Sequence, residues 1–431
     1  SEAVPFCKTG GLADVVGALS QKLGAAGHDV CLFLPKYRAV EAAALRGGVA
    51  YQLSIPLGAQ KITAFLRYMQ WKSVSICFID YPPFFDREGL YGREGEDHPD
   101  NDQRFILFSR GVLEGTKAIG FKPQIVHAHD WQTALIPAYL KKQYASDPFF
   151  ARTPSVLTLH NMAYQGNFSA QTLSAAGFGP GDFTSEGVEY FGKFSFLKAG
   201  IVYADFLTTV SPAYAREIAQ SEKRGFGMEG LLRKRQSVLF GILNGIDTDA
   251  WNPEHDANLP RRFSSRDISG KAACKKAVQE QCRLPQKADI PLIAVISRLD
   301  YQKGLDIAIC ALEPRIDRCQ AVVLGTGDGA LQESFAALAR RHPKAVYFHS
   351  GFSEALAHRL YAASDIFLMP SRFEPCGLGQ MIAMRYGSLP VASKTGGLAD
   401  TVMESGKDGF IPNGFLAEPG DAEDLGRALD R

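Results

Sequence analysis

The chain has 431 residues. It contains no Cys-x-x-Cys pair among its eight cysteines, no Walker-type phosphate loop, no Gly-x-Ser-x-Gly elbow and no uninterrupted apolar run of membrane-spanning length. Each absence excludes a class. Scattered cysteines, several inside apolar runs such as Ser75-Ile76-Cys77-Phe78, read as reduced buried thiols of a cytosolic or equivalent compartment. Without the phosphate loop or the elbow, neither an NTPase nor a serine hydrolase is supported. No signal peptide is visible, and no membrane association is expected. An excess of one charge is missing too. The net charge is +1, so nothing favours nucleic acid or an anionic surface as partner. The densest basic stretch, Lys223-Arg224 with Arg233-Lys234-Arg235, reads as a solvated helix face. The 46% hydrophobic content and the length suit two globular domains, each with its own core.

What is present is a near-repeat. Lys8-Thr-Gly-Gly-Leu-Ala-Asp-Val-Val16 returns near the other end as Lys394-Thr-Gly-Gly-Leu-Ala-Asp-Thr-Val402, identical at eight of nine positions. Each copy is a Gly-Gly turn running into an amphipathic helix. A helix start offers unpaired N–H groups and partial positive charge, and glycine lets an anion come close. Two such turns predict two similar domains, each pointing a helix start at a shared cleft.

Short β-branched strands alternate with amphipathic helices in both halves, which predicts parallel sheets covered by helices. In the first half, a helix carrying Leu12, Val15, Val16, Leu19 and Leu23 ends near Gly27. Strands are expected at 30–34, 74–79, 124–127, 155–159 and 206–210, with a long functional loop over 82–102. The second half alternates more regularly, with strands at 290–296, 320–324, 345–349, 365–370 and 389–393, a doubly wound pattern. The Asn-Gly break at Leu243-Asn-Gly-Ile-Asp247 sets the boundary, giving domains 1–245 and 246–431. Only Ser1 to Cys7 precede the first turn, where a buried strand is expected, and the chain stops inside a helix-like run from Asp421 to Arg431. Both ends therefore read as trimmed.

Polar clusters fall where strands have just ended. These are His127-Ala-His129-Asp130, His160-Asn161 with the following Tyr164-Gln165-Gly166, Ser297-Arg298 through Lys303-Gly304, and Ser371-Arg-Phe-Glu374-Pro-Cys376-Gly377-Leu378. Arg298 and Lys303 suit a diphosphate, a forked guanidinium and a mobile ammonium neutralising charge on a leaving group. Glu374, biased away from helix by Pro375 and close to a helix start, suits sugar hydroxyls or a developing positive charge. Tyr91 and Tyr164 lie in glycine-containing loops and are candidates to meet donor or acceptor, whereas Trp131 and Phe191 are expected in the core. Gly325-Thr-Gly327-Asp-Gly-Ala330 matches a dinucleotide fingerprint, but the next strand ends in His349-Ser350 without the acid that binds ribose. His127 and His129 have too few histidine or cysteine partners for a metal site, so neither metal nor cofactor is expected.

The quoted strings, together with Ser1-Glu2, Trp131, Asn244-Gly-Ile-Asp247 and Gln302-Lys-Gly-Leu-Asp306, resemble those of bacterial glycogen synthases and plastid starch synthases, in the same order over essentially the whole chain. The resemblance implies an α/β fold of the GT-B type, two facing Rossmann-like doubly wound parallel-sheet domains with an interdomain cleft. The first domain would serve the acceptor and the second the nucleotide sugar. The implied reaction moves glucose with retention from ADP-glucose, or UDP-glucose, to the non-reducing 4-hydroxyl of an α-1,4-glucan: glycogen, starch or a maltooligosaccharide. The implied compartment is a bacterial cytoplasm or a plastid stroma.

Position by position, the resemblance implies that Lys8 and the Gly10-Gly11 turn meet the donor's phosphates or sugar. Arg298 and Lys303 would hold the diphosphate, and Glu374 the donor glucose beside the backbone of Cys376, Gly377 and Leu378. His160 and Asp130 would line the glucose pocket, with Asn161 and Tyr164 following, Asn244 close to the sugar and Tyr91 among the substrate contacts. Lys394-Thr395-Gly396-Gly397 would add backbone donors at the phosphate end. Related retaining transferases often carry a second glutamate eight positions after the first. Here that position is Ile382, which favours a same-face displacement over a covalent intermediate. A non-catalytic glucan-binding scaffold and another nucleotide-sugar transferase are the competing readings.

Overall fold

The computed structural model describes residues 1–40, 48–93, 95–405 and 411–431. It divides into two compact units, Ser1–Val210 with Ala215–Ile242, and Ser211–Tyr214 with Leu243–Arg431.

The first unit opens with the helix Gly11–Ala25, which buries Leu12, Ala13 and Val16. The helix is closed by Gly27 in the left-handed region, with His28 N donating to Leu23 O. One four-stranded sheet is mixed, against the expectation of parallel sheets only. Strands Val49–Leu57 and Gln60–Trp71 form an antiparallel hairpin that also pairs antiparallel with Val74–Asp80, which in turn pairs parallel with Cys31–Pro35. The signal was present in the alternation that buries Leu53 and Ile55 between exposed Gln52 and Ser54, and in Gly58 at the turn, with φ 59. The second four-stranded sheet is wholly parallel, in the order Leu239–Gly241, Phe206–Thr209, Ser155–Leu159, Val126–His129. The 82–102 segment carries structure of its own, a short helix Pro82–Phe85 and the pair Gly92–Arg93 with Glu96–Asp97; Glu94 lies outside the described residues.

The second unit is built on six parallel strands, Leu292–Ile296, Gln320–Gly325, Val346–Ser350, Ile366–Met369, Leu389–Ser393 and Phe415–Ala417. Numbered one to six in chain order, they lie as 3-2-1-4-5-6. Leu292, Ala294, Val322 and Leu324 pack into one core, while Ile293, Val295, Ala321 and Val323 pack into another. Strands apolar on both faces need helices on both sides, which is the doubly wound arrangement. The order reverses between Leu292–Ile296 and Ile366–Met369. In such sheets the crevice beyond the carboxyl ends at that reversal is where ligands bind.

Two composition-based expectations need correction. Cys310 is exposed and Cys31 is half-buried, although buried thiols were expected; Cys310 falls on the outward face of the helix Leu305–Leu312. Arg235 is not a solvated side chain. Its guanidinium donates to Val202 O and Ala204 O at 2.7 and 2.5 Å, closing the helix Phe196–Tyr203. Among the described residues no helix is long and apolar enough to cross a membrane.

Candidate active site

In the second unit, strand order brings the two main clusters together. The segment after Leu292–Ile296 carries Arg298 and Lys303, and the segment after Ile366–Met369 carries Glu374, so both leave neighbouring strands at the reversal point. Asp300 caps a tight turn by accepting from Lys303 N, and Gly304 with φ 60 redirects the chain into the next helix. Lys303 Nζ donates to Glu374 Oε2 at 2.6 Å, and Ser371 Oγ donates to the same oxygen at 3.0 Å. Glu374 is buried, which makes this pair a strong local dipole. Arg298 instead stays about half-exposed, 3.3 Å from Asp300. The two cations expected to act alike therefore differ: Lys303 pairs with the buried Glu374 carboxylate, and Arg298 with the Asp300 carboxylate from a half-exposed position.

The second Lys-Thr-Gly-Gly turn lies directly on the Glu374 loop. Gly397 N donates to Glu374 O and Pro375 O at 3.1 and 3.2 Å. A Cβ on Gly396 would meet Glu374 O at 2.1 Å, and one on Gly397 would meet Cys376 O at 2.2 Å. The expectation of open backbone donors here is corrected for Gly397, whose amide is already paired within the fold. Thr395, almost fully buried, likewise donates its amide to Ser393 O. The Cys376 thiol is pushed up to about 12 by burial, partly offset by the backbone of Asn244, which places Asn244 beside this loop. Gly377 takes φ 74, and Leu378 stands immediately before the helix Gly379–Arg385.

In the first unit, the adjacent strands Val126–His129 and Ser155–Leu159 place His129 and His160 side by side, with His129 Nδ1 3.0 Å from His160 Nε2. His127 stacks on His129 at 4.2 Å and its Nε2 meets Thr158 Oγ1 at 2.6 Å. His127 and His129 are thus held by ring stacking and hydrogen bonding. Burial lowers His127 to about 4 and His160 to about 3, and burial also holds His129 well below its ordinary value, so all three imidazoles are neutral at pH 7. Asp130 has a left-handed backbone (φ 53), and its Oδ1 accepts from His160 N at 2.6 Å. Burial raises the Asp130 carboxyl to about 7, against the opposing pull of the His160 and Asn161 amides. A carboxyl poised near neutrality beside a neutral imidazole is the kind of environment found at functional sites.

Around the first turn, sequence reasoning missed the organising residue. Glu2 accepts from Thr9 N at 2.5 Å, from Gly10 N at 3.3 Å and from the Tyr91 hydroxyl at 2.9 Å. A single carboxylate early in the chain carries no periodic or spacing signal. Lys8 pairs with Asp14 at 2.7 Å. Tyr91 packs near Phe105 and Trp131, so it is less open than its loop suggested. Trp131 is buried as expected, its indole so close to Gly166 that a Cβ there would collide with it. Tyr164 is 49% exposed, and Phe191, expected in the core, is 82% exposed. The turn at Phe191 lifts the ring out of the packing its neighbour Phe194 enjoys.

Two α/β units with polar side chains gathered at strand carboxyl ends define the GT-B class of glycosyltransferases, a fold shared with a sucrose-phosphate synthase of Thermosynechococcus elongatus (TM-score 0.59, 17% identity, covering 98% of this chain and 84% of that one). Residues 1–234 match the family described as starch synthase catalytic domain, and residues 280–431 match glycosyl transferases group 1. Glycogen synthases of Elusimicrobium minutum and Syntrophotalea carbinolica are 50% and 46% identical over the whole chain, covering 90% and 89% of those proteins. The catalytic domain of starch synthase IV from Arabidopsis thaliana, solved with ADP and acarbose, superposes with a TM-score of 0.91 at 34% identity, over 100% of this chain and 90% of that one. The chain belongs to the glycogen and starch synthase family, and it is a glycosyltransferase.

Proposed function

We propose that the enzyme transfers glucose from ADP-glucose to the non-reducing 4-hydroxyl of an α-1,4-glucan with retention, in a cytoplasmic or stromal compartment. The observation that carries this reading is the Lys303–Glu374 pair at the strand-order reversal of the second unit. The ADP bound to the Arabidopsis relative supports the donor class.

In this reading the second unit, within 246–431, serves the nucleotide sugar, and the first, within 1–245, serves the acceptor. Lys303 and Arg298 stabilise charge on the departing diphosphate, Lys303 from its pair with Glu374 and Arg298 from its half-exposed position beside Asp300. Glu374 orients the donor glucose, with Asn244 and the backbone of Cys376, Gly377 and Leu378 beside it. Lys8, Gly10 and Gly11 approach the donor's phosphates, while Thr395, Gly396 and Gly397 hold the Glu374 loop. His160, neutral, hydrogen-bonds the sugar; Asp130 fixes the backbone of His160 and Asn161; Tyr91 and Tyr164 complete the substrate contacts. With no second carboxylate at position 382, the donor phosphate oxygen takes the proton of the incoming hydroxyl on the same face. The bond from the anomeric carbon to phosphate breaks as the new glycosidic bond forms, without a glucosyl-enzyme.

A radiolabel transfer assay with glycogen tests this, with ADP-glucose and UDP-glucose offered separately. Incorporation chiefly from ADP-glucose is expected. No incorporation from either would favour a glucan-binding scaffold, and a glucosylated enzyme found by mass spectrometry would overturn the same-face mechanism.

A further inference from the structure

Gln380 stands on the first turn of the helix Gly379–Arg385, fully buried, and its side chain reaches back over the loop that carries Glu374. Its Nε2 donates to Cys376 O, to Gly377 O and to Thr401 Oγ1, each at 3.0 Å. This orientation of the amide is forced by its partners. Both carbonyls can only accept, and the Thr401 hydroxyl gives its proton to Gly397 O at 2.6 Å. Oε1 is left buried without a hydrogen-bond partner among the described residues. An orphaned buried acceptor costs about as much as a hydrogen bond contributes, so the stability of the fold is a poor reason for an amide here.

The two carbonyls are successive, so one side chain fixes two peptide planes. In a trans peptide the N–H points opposite to the C=O. With Cys376 O and Gly377 O turned to Gln380, the amides of Gly377 and Leu378 are turned to the other side. Gly377 has φ 74, and Leu378 has φ −109 with ψ −29. A left-handed residue followed by a right-handed one gathers successive N–H groups into a concave surface that suits an anion. We propose that Gln380 is a positioning residue for the nucleotide-sugar donor, its amide holding these carbonyls so that the Gly377 and Leu378 N–H groups face the donor's diphosphate. Gln380 does not itself touch the donor. Thr401 carries the same hold to the second glycine turn, because its hydroxyl joins Gln380 to Gly397 O. The inference rests on the reading above that this loop serves the nucleotide sugar.

The test titrates ADP and UDP by calorimetry into the full chain and its variants Gln380→Met and Gln380→Glu, followed by steady-state kinetics with the matching nucleotide sugar and glycogen. Gln380→Met keeps the length of the side chain and loses the donors. Nucleotide binding should weaken about 10-fold and the KM for the donor should rise as much, while the KM for glycogen stays within about two-fold. Gln380→Glu gives a sharper signature. A buried carboxyl facing carbonyls holds its proton to higher pH; protonated it donates to one of them, and ionised it repels both. Its binding should therefore lie within about three-fold of the parent's at about pH 5.5 and about 10-fold below it at about pH 8.5, whereas the Gln380→Met deficit is the same at both. Binding by Gln380→Met within about two-fold of the parent, an equal rise in the KM for glycogen, or a Gln380→Glu deficit that ignores pH overturns the assignment. Should methionine prevent folding, the pH dependence of Gln380→Glu decides alone. A parent that binds nucleotide yet transfers glucose from neither sugar refutes the synthase reading, while the binding comparison still decides the role of Gln380. A parent that binds neither nucleotide overturns that role as well.

Discussion

The two Lys-Thr-Gly-Gly-Leu-Ala-Asp segments have almost one sequence and two physical roles. In the first, Gly10 is half-buried with nothing within 4 Å of an added Cβ, and Gly11 and Lys8 are exposed. In the second, Gly396 and Gly397 are buried under the carbonyls of Glu374 and Cys376. The aspartates diverge as well: Asp14 pairs with Lys8, whereas Asp400 accepts from Ala213 N. The first turn has open space beside Gly10, although Glu2 accepts from its amide; the second is packed against the backbone of the Glu374 loop. In the second turn only glycine admits the close approach of the chain's own backbone, whereas the space beside Gly10 would admit a side chain.

The largest effect should come from the loop that the closed turn holds. Lys303→Ala removes the fixed cation and leaves Glu374 buried without its partner, so kcat should fall about 10²–10³-fold in steady-state assays. Near-normal turnover would show that the pair does not serve catalysis. Next, Gly397→Ala forces a methyl group against the Cys376 backbone, 2.2 Å from its carbonyl, and should cost at least about 2 kcal/mol by denaturant unfolding. The matching change Gly10→Ala has open space and φ −155, so its stability should shift by no more than about 0.5 kcal/mol while the KM for the donor rises. Equal destabilisation by the two alanines would erase the distinction between open and closed turns.

A smaller effect concerns pH. Asp130 is raised from 3.8 to about 7, so the fold binds its proton more tightly than the unfolded chain does. That contribution is complete below pH 3.8 and is lost as pH rises through 7. His127 and His160 are lowered from 6.5 to about 4 and about 3, so their contribution is present above pH 6.5 and is lost as pH falls toward those values. The two slopes oppose each other between pH 4 and 6.5. Asp130→Asn removes the falling one, and its melting temperature should climb more steeply with pH across this window than the parent's. Parallel curves would count against the raised carboxyl.

Much of this was legible in the chain. Five of the six strands of the second unit were readable within a few residues because each is short, apolar and bounded by glycine or polar turns, whereas the three-residue edge strand Phe415–Ala417 was too short to stand out. The antiparallel hairpin 49–71 was missed although its alternation is plain, since an overall rhythm of strand and helix masked a local period of two. Glu2 and His129 were missed as organisers for another reason. Their roles come from partners distant in sequence or on a neighbouring strand, at Tyr91 and His160, and a lone carboxylate or imidazole has no signature before those partners meet it. Phe191 was misplaced because hydrophobicity predicts burial only on average, while a left-handed turn residue can be held outward by its own backbone.

The order of residues by itself determined the family and the α/β class, because periodicity and short motifs are local properties of the chain. Only the tertiary structure decided that Lys303 pairs with Glu374 while Arg298 lies beside Asp300, and that one glycine turn has open space while its twin is packed against backbone. Pairing and burial depend on which strands become neighbours, and strand order is set by the packing of whole sheets against their helices, which no nine-residue segment contains.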